Sequence, residues 1–524
     1  MNSGCFCLGL DASTQSLTAT LIDPDREVIT GEETVVYDRD LPGYSTENGV
    51  IQKINGAVHS PPLMWADALD LLFARLRDSG VPLERVEAVS GSGQQHGSVY
   101  LNSSFESAAG SLDPGRSIAE QMENVFTRPA SPVWMDSSTG EECREIEHAA
   151  GGAEQCIRIT GSPVFRRFTG PQIRKFFKED PDAYRDTVLI QLVSSFMASL
   201  LAGKPVSTDP GDGAGTAMMD IRTKQWSQEM LDAAAPDLSD RLLPVAPSDT
   251  SAGTIAPYFA EKYGFPRTCE VVLFSGDNPC SLIGAGLVSP GRICISLGTS
   301  DTLFSCMKTL RTSPRGEGVV FGAPTGDYMS LLCMRNGSLA RERIRDMYGL
   351  DWNGFSECLR STPPGNNGRC MLPWFEQEIY PPLKGVKRFN LPEDCVCENV
   401  RAVVEAQAAA LRIHSKWMEV PADTLYLTGG ASVNREISRV FADMFQASVY
   451  RFETSNSASL GAALRALFRL KRSRGEQCSW EETVKPFAQP VEGSEVLPDP
   501  SVSDVYGSFC MQYSRHEQEA ITRV

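Results

Sequence analysis

An α/β chain built of two related lobes is what the sequence predicts. Three observations carry it. Strand-like and helix-like apolar patterns alternate along the whole length. The 524 residues exceed what one hydrophobic core usually serves. A strand, polar turn, strand motif also occurs twice. The first runs over 8–23 with the turn Asp11-Ala-Ser-Thr-Gln15, the second over 292–306 with the turn Gly298-Thr-Ser-Asp301. Each lobe then presents one hydroxyl-rich turn.

The elements follow in order. Residues 8–10, 17–22 and 27–30 read as consecutive strands, with Asp23-Pro-Asp-Arg26 joining the last two. Residues 184–201 read as strand and helix, ending at Gly203-Lys-Pro205. Residues 271–274 form a short buried strand, and Gly286 to Gly291 marks a boundary. A long helix covers about 400–418, and an amphipathic stretch near 505–521 packs back on the fold. The division expected is 1–288 for the first lobe, 289–471 for the second, and 472–524 for a Pro-rich tail of unassigned role.

Composition excludes several classes. Net charge is -17, from 49 Lys+Arg against 66 Asp+Glu, so nucleic acid and acidic membranes are poor partners. The 15 cysteines show no zinc-like pair of CxxC motifs, and Cys5 and Cys7 read as buried free thiols. A basic-then-apolar secretory segment is absent, as is any run of about 18 apolar residues. The expectation is a soluble, cytoplasmic protein in a reducing compartment.

Several segments carry chemistry. In Leu425-Tyr-Leu-Thr-Gly-Gly-Ala-Ser-Val-Asn434 a strand runs into a Gly pair and then a helix. Gly429 and Gly430 let a ligand approach backbone N–H groups; equally, they make a tight turn with Ser432 as helix cap. In Val271 to Cys280, Asn278 suits a helix cap and Pro279 the first helical position. That leaves Asp277 exposed at the carboxyl end of a strand, where open α/β sheets place ligands. Gln94-Gln95-His96-Gly97 lies between two strands and offers polyol hydrogen bonders, or else a solvated loop. It is not a dinucleotide fingerprint, since His96 stands where the last Gly belongs. Asp136, in Trp134-Met-Asp136, either accepts sugar hydroxyls or caps the next segment. Of Arg166 and Arg167, one can fork onto a sugar while the other stays solvated. Ser207 to Thr216 is Gly-rich but lacks the Lys of a P-loop.

Gln95-His-Gly97, Phe168-Thr-Gly170, Ser275-Gly-Asp-Asn278, Ser296 to Thr302 and Thr428 to Asn434, in this order, resemble the FGGY carbohydrate kinase family. The likeness spans about 6–470 and is strongest to the eukaryotic branch that phosphorylates D-xylulose. It implies the two-lobed fold of sugar kinases, actin and heat-shock ATPases, with duplicated ribonuclease H-like domains and a central cleft. It implies ATP and Mg²⁺, and transfer of the γ-phosphoryl group to O5 of D-xylulose. Asp277 would be the catalytic base. His96, Arg167 and Asn278 would hold the sugar, with Gln95 and Asp136 beside them. Asp11 would serve the metal. Ser13, Thr14 and Gln15 in the first hairpin, and Thr299 and Ser300 in the second, would face phosphate. Trp352, Gly429, Gly430 and Asn434 would line the adenosine site. Ser13-Thr14 in place of Gly-Thr, Met135 in place of Asn, and Pro279-Cys280 depart from the family pattern. Other readings remain: a kinase of ribulose, glycerol or another polyol, or a catalytically silent sugar- or nucleotide-binding regulator.

Overall fold

The computed structural model describes residues 4–453 and 456–522. Over the described residues the chain divides into two compact units. The first comprises Met1–Val288, Val320–Met329 and Ser455–Ala488; the second comprises Ser289–Val319, Ser330–Thr454 and Gln489–Val524. This division differs from the contiguous one expected at 471. The reason lies in the helix Ser457–Ser473, whose Leu460, Ala463, Leu464 and Leu467 share a core with Cys7, Ile22, Ala88 and Ile283. Burial of each of the Leu and Ile side chains among them contributes about 1.5–3 kcal/mol.

In the first unit the opening strands Phe6–Ala12, Ser16–Asp23 and Val28–Val36 form an antiparallel meander. Phe6–Ala12 also pairs in parallel with Val86–Gly93, which pairs in parallel with Glu270–Val272 and Ser275–Gly276. Register then decides which side chains meet. Asp11 lies opposite Ser92, and Gly93 lies opposite Gly276. Asp11, the 94–97 loop and Asp277 therefore emerge from one carboxyl edge of the sheet, the edge where such sheets place ligands.

The Ser457–Ser473 helix approaches this sheet at backbone distance. A methyl group at Gly9 would stand 1.9 Å from the Ser459 carbonyl oxygen, and one at Gly461 would stand 1.9 Å from that of Cys280. Arg465 enters the same core. It is 2% exposed and donates to the carbonyls of Gly91, Ser248 and Leu273. Cys5 and Cys7 are buried free thiols in this unit.

In the second unit, Asp301–Met307, Arg292–Leu297, Thr424–Thr428 and Ser448–Arg451 lie side by side in that order. The middle pair is parallel, with Ser296 opposite Thr428. The turn of the second hairpin and the Gly429-Gly430 turn thus leave the same edge. The helix Val396–His414 starts earlier than expected and ends before Lys416, where a 3₁₀ turn follows. Cys358 and Cys397 are joined by a disulfide, a pairing that the reading of reduced thiols did not include. The tail is structured. Tyr506, Phe509, Cys510, Tyr513, Glu517 and Ala520 form the buried stripe of the helix Ser503–Thr522.

His414 clamps that tail. Its Nδ1 lies 2.8 Å from Glu317 and its Nε2 lies 3.1 Å from Glu517, all three buried. Burial alone would lower the imidazole; the two carboxylates outweigh it and raise it to about 9. A folded-state value above the ordinary 6.5 stabilises fully below pH 6.5 and is lost as pH rises through 9. We expect His414→Gln to destabilise the second unit by on the order of 2–3 kcal/mol at pH 6. The gap from the unmodified protein should close by pH 10. Thermal unfolding of both proteins across this range checks it, and a pH-independent gap would contradict the assignment.

Among the described residues, no helix is long and apolar enough to cross a membrane.

Candidate active site

Asp277 opens the helix Asp277–Gly284 instead of preceding its cap. The cap position belongs to Gly276, which offers no side-chain acceptor, so Asn278 lies in the first turn and not at the cap expected for it. The Asp277 carboxylate takes over the local N–H groups. It accepts from the Asn278 backbone at 2.8 Å and from Asn278 Nδ2 at 3.0 Å. Asp277 is half-buried. Burial pushes its carboxyl up to about 6, against the opposing pull of the Asn278 and Gln95 N–H groups. That value suits a group that must take a proton near neutral pH.

Asp11 stands beside it electrostatically. Burial raises its carboxyl to about 7; the hydroxyl of Ser92, donating at 2.6 Å, opposes this, and the charge of Asp277 adds to it. Ser92 was not anticipated. The signal for it was the parallel strand pairing that sets residue 92 opposite residue 11.

The 94–97 loop is buried, not solvated. His96 is 7% exposed and holds a left-handed backbone at φ 73°. Its ring stacks on Phe168 with centroids 4.6 Å apart, and the hydroxyl of Thr169 donates to its carbonyl at 3.0 Å. Arg167 is half-buried, its guanidinium 4.9 Å above the Phe165 ring, whereas Arg166 is exposed.

Two expected sugar ligands are buried and hold protein partners. Gln95 is 2% exposed. Its Nε2 donates to the Gly211 carbonyl at 3.2 Å, and its Oε1 accepts from Asn278 Nδ2 at 2.9 Å. It braces Asn278, and one N–H and one lone pair of the amide lie beyond these two bonds. Asp136 is 1% exposed and accepts from the N–H groups of Val58 and Ser138 and from the Ser138 hydroxyl. Burial notwithstanding, hydrogen bonds from His59 and Ser138 hold its carboxyl well below the usual range. Its oxygens are thus satisfied as buried polar groups ordinarily are.

In the first hairpin, Ser13 Oγ donates to the Ser16 carbonyl at 3.0 Å, closing the turn. Thr14 Oγ1 accepts from Trp134 Nε1 at 2.8 Å and reaches Gln94 Oε1 at 3.5 Å. Both hydroxyls are engaged. Gln15 is exposed. The N–H groups of Thr14 and Gln15 have no protein acceptor among the described residues. The second hairpin differs. Its Thr299 is exposed and Ser300 half-buried, and neither hydroxyl has a protein partner among the described residues. The turn is pinned from behind. Ser338 N–H donates to the Gly298 carbonyl at 2.8 Å, and the buried pair Arg341–Asp301 closes at 2.8 Å.

The second unit holds a cavity of about 530 Å³. Trp352, Ser356, Arg360, Gly430, Asn434 and Glu436 are among its walls. Its size and mixed lining suit a drug-sized ligand such as a nucleoside. Asn434, not Ser432, caps the helix Arg435–Phe445: its Oδ1 accepts from Glu436 and Ile437 N–H groups. Its Nδ2 donates to Ser356 Oγ at 2.9 Å, so Asn434 joins two walls of the cavity. The two glycines have separate reasons. Gly429 has φ 80°, and a methyl there would meet the Leu297 carbonyl at 2.8 Å; Gly430 faces open space. We expect Gly429→Ala to destabilise the second unit by about 2 kcal/mol or more and Gly430→Ala to change stability by less than about 1 kcal/mol. Denaturant unfolding of the two variants separates these outcomes.

Among the described residues, no group of three or more His, Cys, Asp or Glu side chains is placed to hold a metal ion.

Residues 126–284 match the FGGY family of carbohydrate kinases, N-terminal domain, and residues 386–470 match its C-terminal domain. A mouse protein named xylulose kinase is 42% identical over 531 residues, covering 98% of this chain and 94% of the relative. Xylulose kinase 2 of Arabidopsis thaliana is 42% identical over 508 residues, covering 93% of this chain and 90% of the relative. Among solved structures, a xylulose kinase of Rhodospirillum rubrum superposes with TM-score 0.83 at 18% identity, over 98% of each chain. A Plasmodium falciparum glycerol kinase with ADP superposes with TM-score 0.77 at 16% identity, also over 98% of each. At such identities the superpositions establish the fold alone, a two-domain α/β architecture. The near-complete 42% relatives establish more, and the chain belongs to the FGGY family of carbohydrate kinases.

Proposed function

We propose that the chain transfers the γ-phosphoryl group of ATP to O5 of D-xylulose, with Asp277 as general base. The observation that carries this reading is the Asp277 carboxylate. It is raised to about 6, it is held by Asn278, and it emerges from the same sheet edge as His96. The near-full-length relatives named xylulose kinase support the choice of sugar.

In the reaction O5 bonds to the γ-phosphorus as the bond to the β–γ bridging oxygen breaks. The O5 proton passes to Asp277, and ADP leaves. Phosphoryl transfer of this kind depends on positioning and charge stabilisation more than on covalent help. His96, Arg167 and Asn278 hold the sugar. With the hydroxyls of Ser13 and Thr14 engaged within the protein, the N–H groups of Thr14 and Gln15 are the first hairpin's donors for phosphate. In the second hairpin Thr299 and Ser300 donate through their hydroxyls. The adenosine sits in the cavity beside Trp352 and Gly430.

Asp11 would hold Mg²⁺. Its half-buried carboxylate is pushed up to about 7 with only a hydroxyl donor against it, and a divalent cation relieves that burden. One carboxylate with phosphates and waters is also how Mg²⁺ is usually bound, in place of an all-protein cage. When bound, the ion screens the β- and γ-phosphates.

Purified protein with Mg-ATP and a panel of D-xylulose, D-ribulose and glycerol, read by coupled ADP detection, tests the proposal. D-xylulose should lead by at least about tenfold in kcat/KM. Absence of D-xylulose turnover would sink it.

A further inference from the structure

We infer that the Gly215 carbonyl locks His96 in its Nδ1–H tautomer, so that Nε2 is an acceptor only and reads a hydroxyl group of the sugar as a donor. This deepens the reading that the first unit binds the sugar.

His96 Nδ1 lies 2.7 Å from the carbonyl oxygen of Gly215. A carbonyl only accepts, so Nδ1 carries the proton in that bond. The ring is otherwise neutral. Burial, with the Arg167 charge adding to it, lowers the imidazole to about 3. In a neutral imidazole with Nδ1–H, Nε2 is left with a lone pair and no proton. Among the described residues Nε2 has no protein partner, nor is it sealed inside the protein.

Turning the ring over would replace Nδ1 by carbon at the Gly215 carbonyl and forfeit that bond. Phe168 stacks on the ring and Gly215 lies at its Nδ1 edge. A methyl group at Gly215 would stand 2.8 Å from Nδ1 and 2.9 Å from Cε1. The same short segment supplies the Gly211 carbonyl that fixes Gln95. This gives the Gly-rich run Ser207 to Thr216 its role. It is a positioning platform beneath the sugar site, with no phosphate to cradle.

The consequence is a sign of recognition. A keto oxygen or a fluorine placed at Nε2 would set lone pair against lone pair, whereas a hydroxyl would donate. A ketose is therefore bound with a hydroxyl at His96 and its carbonyl elsewhere.

Two measurements on the full chain test this. In ¹⁵N-histidine NMR without sugar, His96, assigned through His96→Gln, should show the Nδ1–H tautomer unchanged between pH 5.5 and 8. An Nε2–H tautomer, or an imidazolium forming in that range, overturns the inference. This result holds or fails whatever the sugar, so it is independent of the proposed substrate. In the second measurement, D-xylulose analogues with single hydroxyls replaced by hydrogen or by fluorine are compared in binding. At one position both replacements should weaken binding equally, by about tenfold or more. Retention of affinity by every fluoro analogue overturns the inference. Gly215→Ala should raise KM for the sugar by about tenfold and leave that for ATP within about twofold. An unchanged sugar KM with an unchanged tautomer counts against the platform.

Discussion

Asp277→Asn is expected to lower kcat by about 10³-fold, within the 10²–10⁴ that a positioned general base supplies. Sugar binding should stay within about twofold, because Asn preserves the oxygen that accepts from the Asn278 backbone. The pH profile makes the test specific. Catalysis needs the carboxylate form, so in the unmodified protein activity is present above the Asp277 value of about 6 and falls below it. The residual activity of the variant should lack that acid limb. Stability should move the other way. A folded-state value above the ordinary 3.8 means that the charged form is disfavoured by folding, so this group weakens the fold as pH rises through 6. The asparagine variant should therefore melt higher at pH 7, as is common when a strained catalytic group is removed. Near-normal kcat would refute the assignment of the base. A lost kcat with lost sugar affinity would make Asp277 a binding residue.

Arg465→Met should carry the largest cost in stability, about 3–5 kcal/mol for the first unit. The guanidinium is buried among the carbonyls of Gly91, Ser248 and Leu273, and its Nη2 lies 3.8 Å from Asp209. Methionine fills the space of the stem but supplies no donors. Three buried carbonyls lose a donor, and a buried carboxylate loses its nearest cation. The three carbonyls belong to the Val86–Gly93 strand, the segment after Glu270–Val272, and the loop before them. Hydrogen exchange should therefore rise first in the parallel strands that present Asp277. Denaturant unfolding measures the loss. A change under about 1 kcal/mol would mean that the network is not what ties this helix to the sheet.

The sequence by itself was enough for much of the architecture. Alternating apolar residues over 17–22 and the short polar turn before them determine the first hairpin, because strand and turn chemistry are local. The same holds for the second hairpin and for the apolar face of the Arg435–Phe445 helix. Asp11, His96 and Asp277, which emerge at the sheet edge, were also visible in the chain, since each stands in a polar turn directly after a strand pattern.

What tertiary structure alone decided is which polar atoms remain unspent. Gln95 and Asp136 look like sugar ligands in one dimension. In three dimensions both already have protein partners, Gly211 and Asn278 for Gln95, Val58 and Ser138 for Asp136. Ser92 and Gly215 look unremarked in the chain, yet strand register sets one on Asp11 and loop packing sets the other on His96. The same is true of Ser457–Ser473, which packs with the first unit although it lies far along the chain. Hydrogen-bond satisfaction and close packing are pairwise and non-local. A residue's own type decides what it can offer, and only the partner brought to it by the fold decides what it has left to give a ligand.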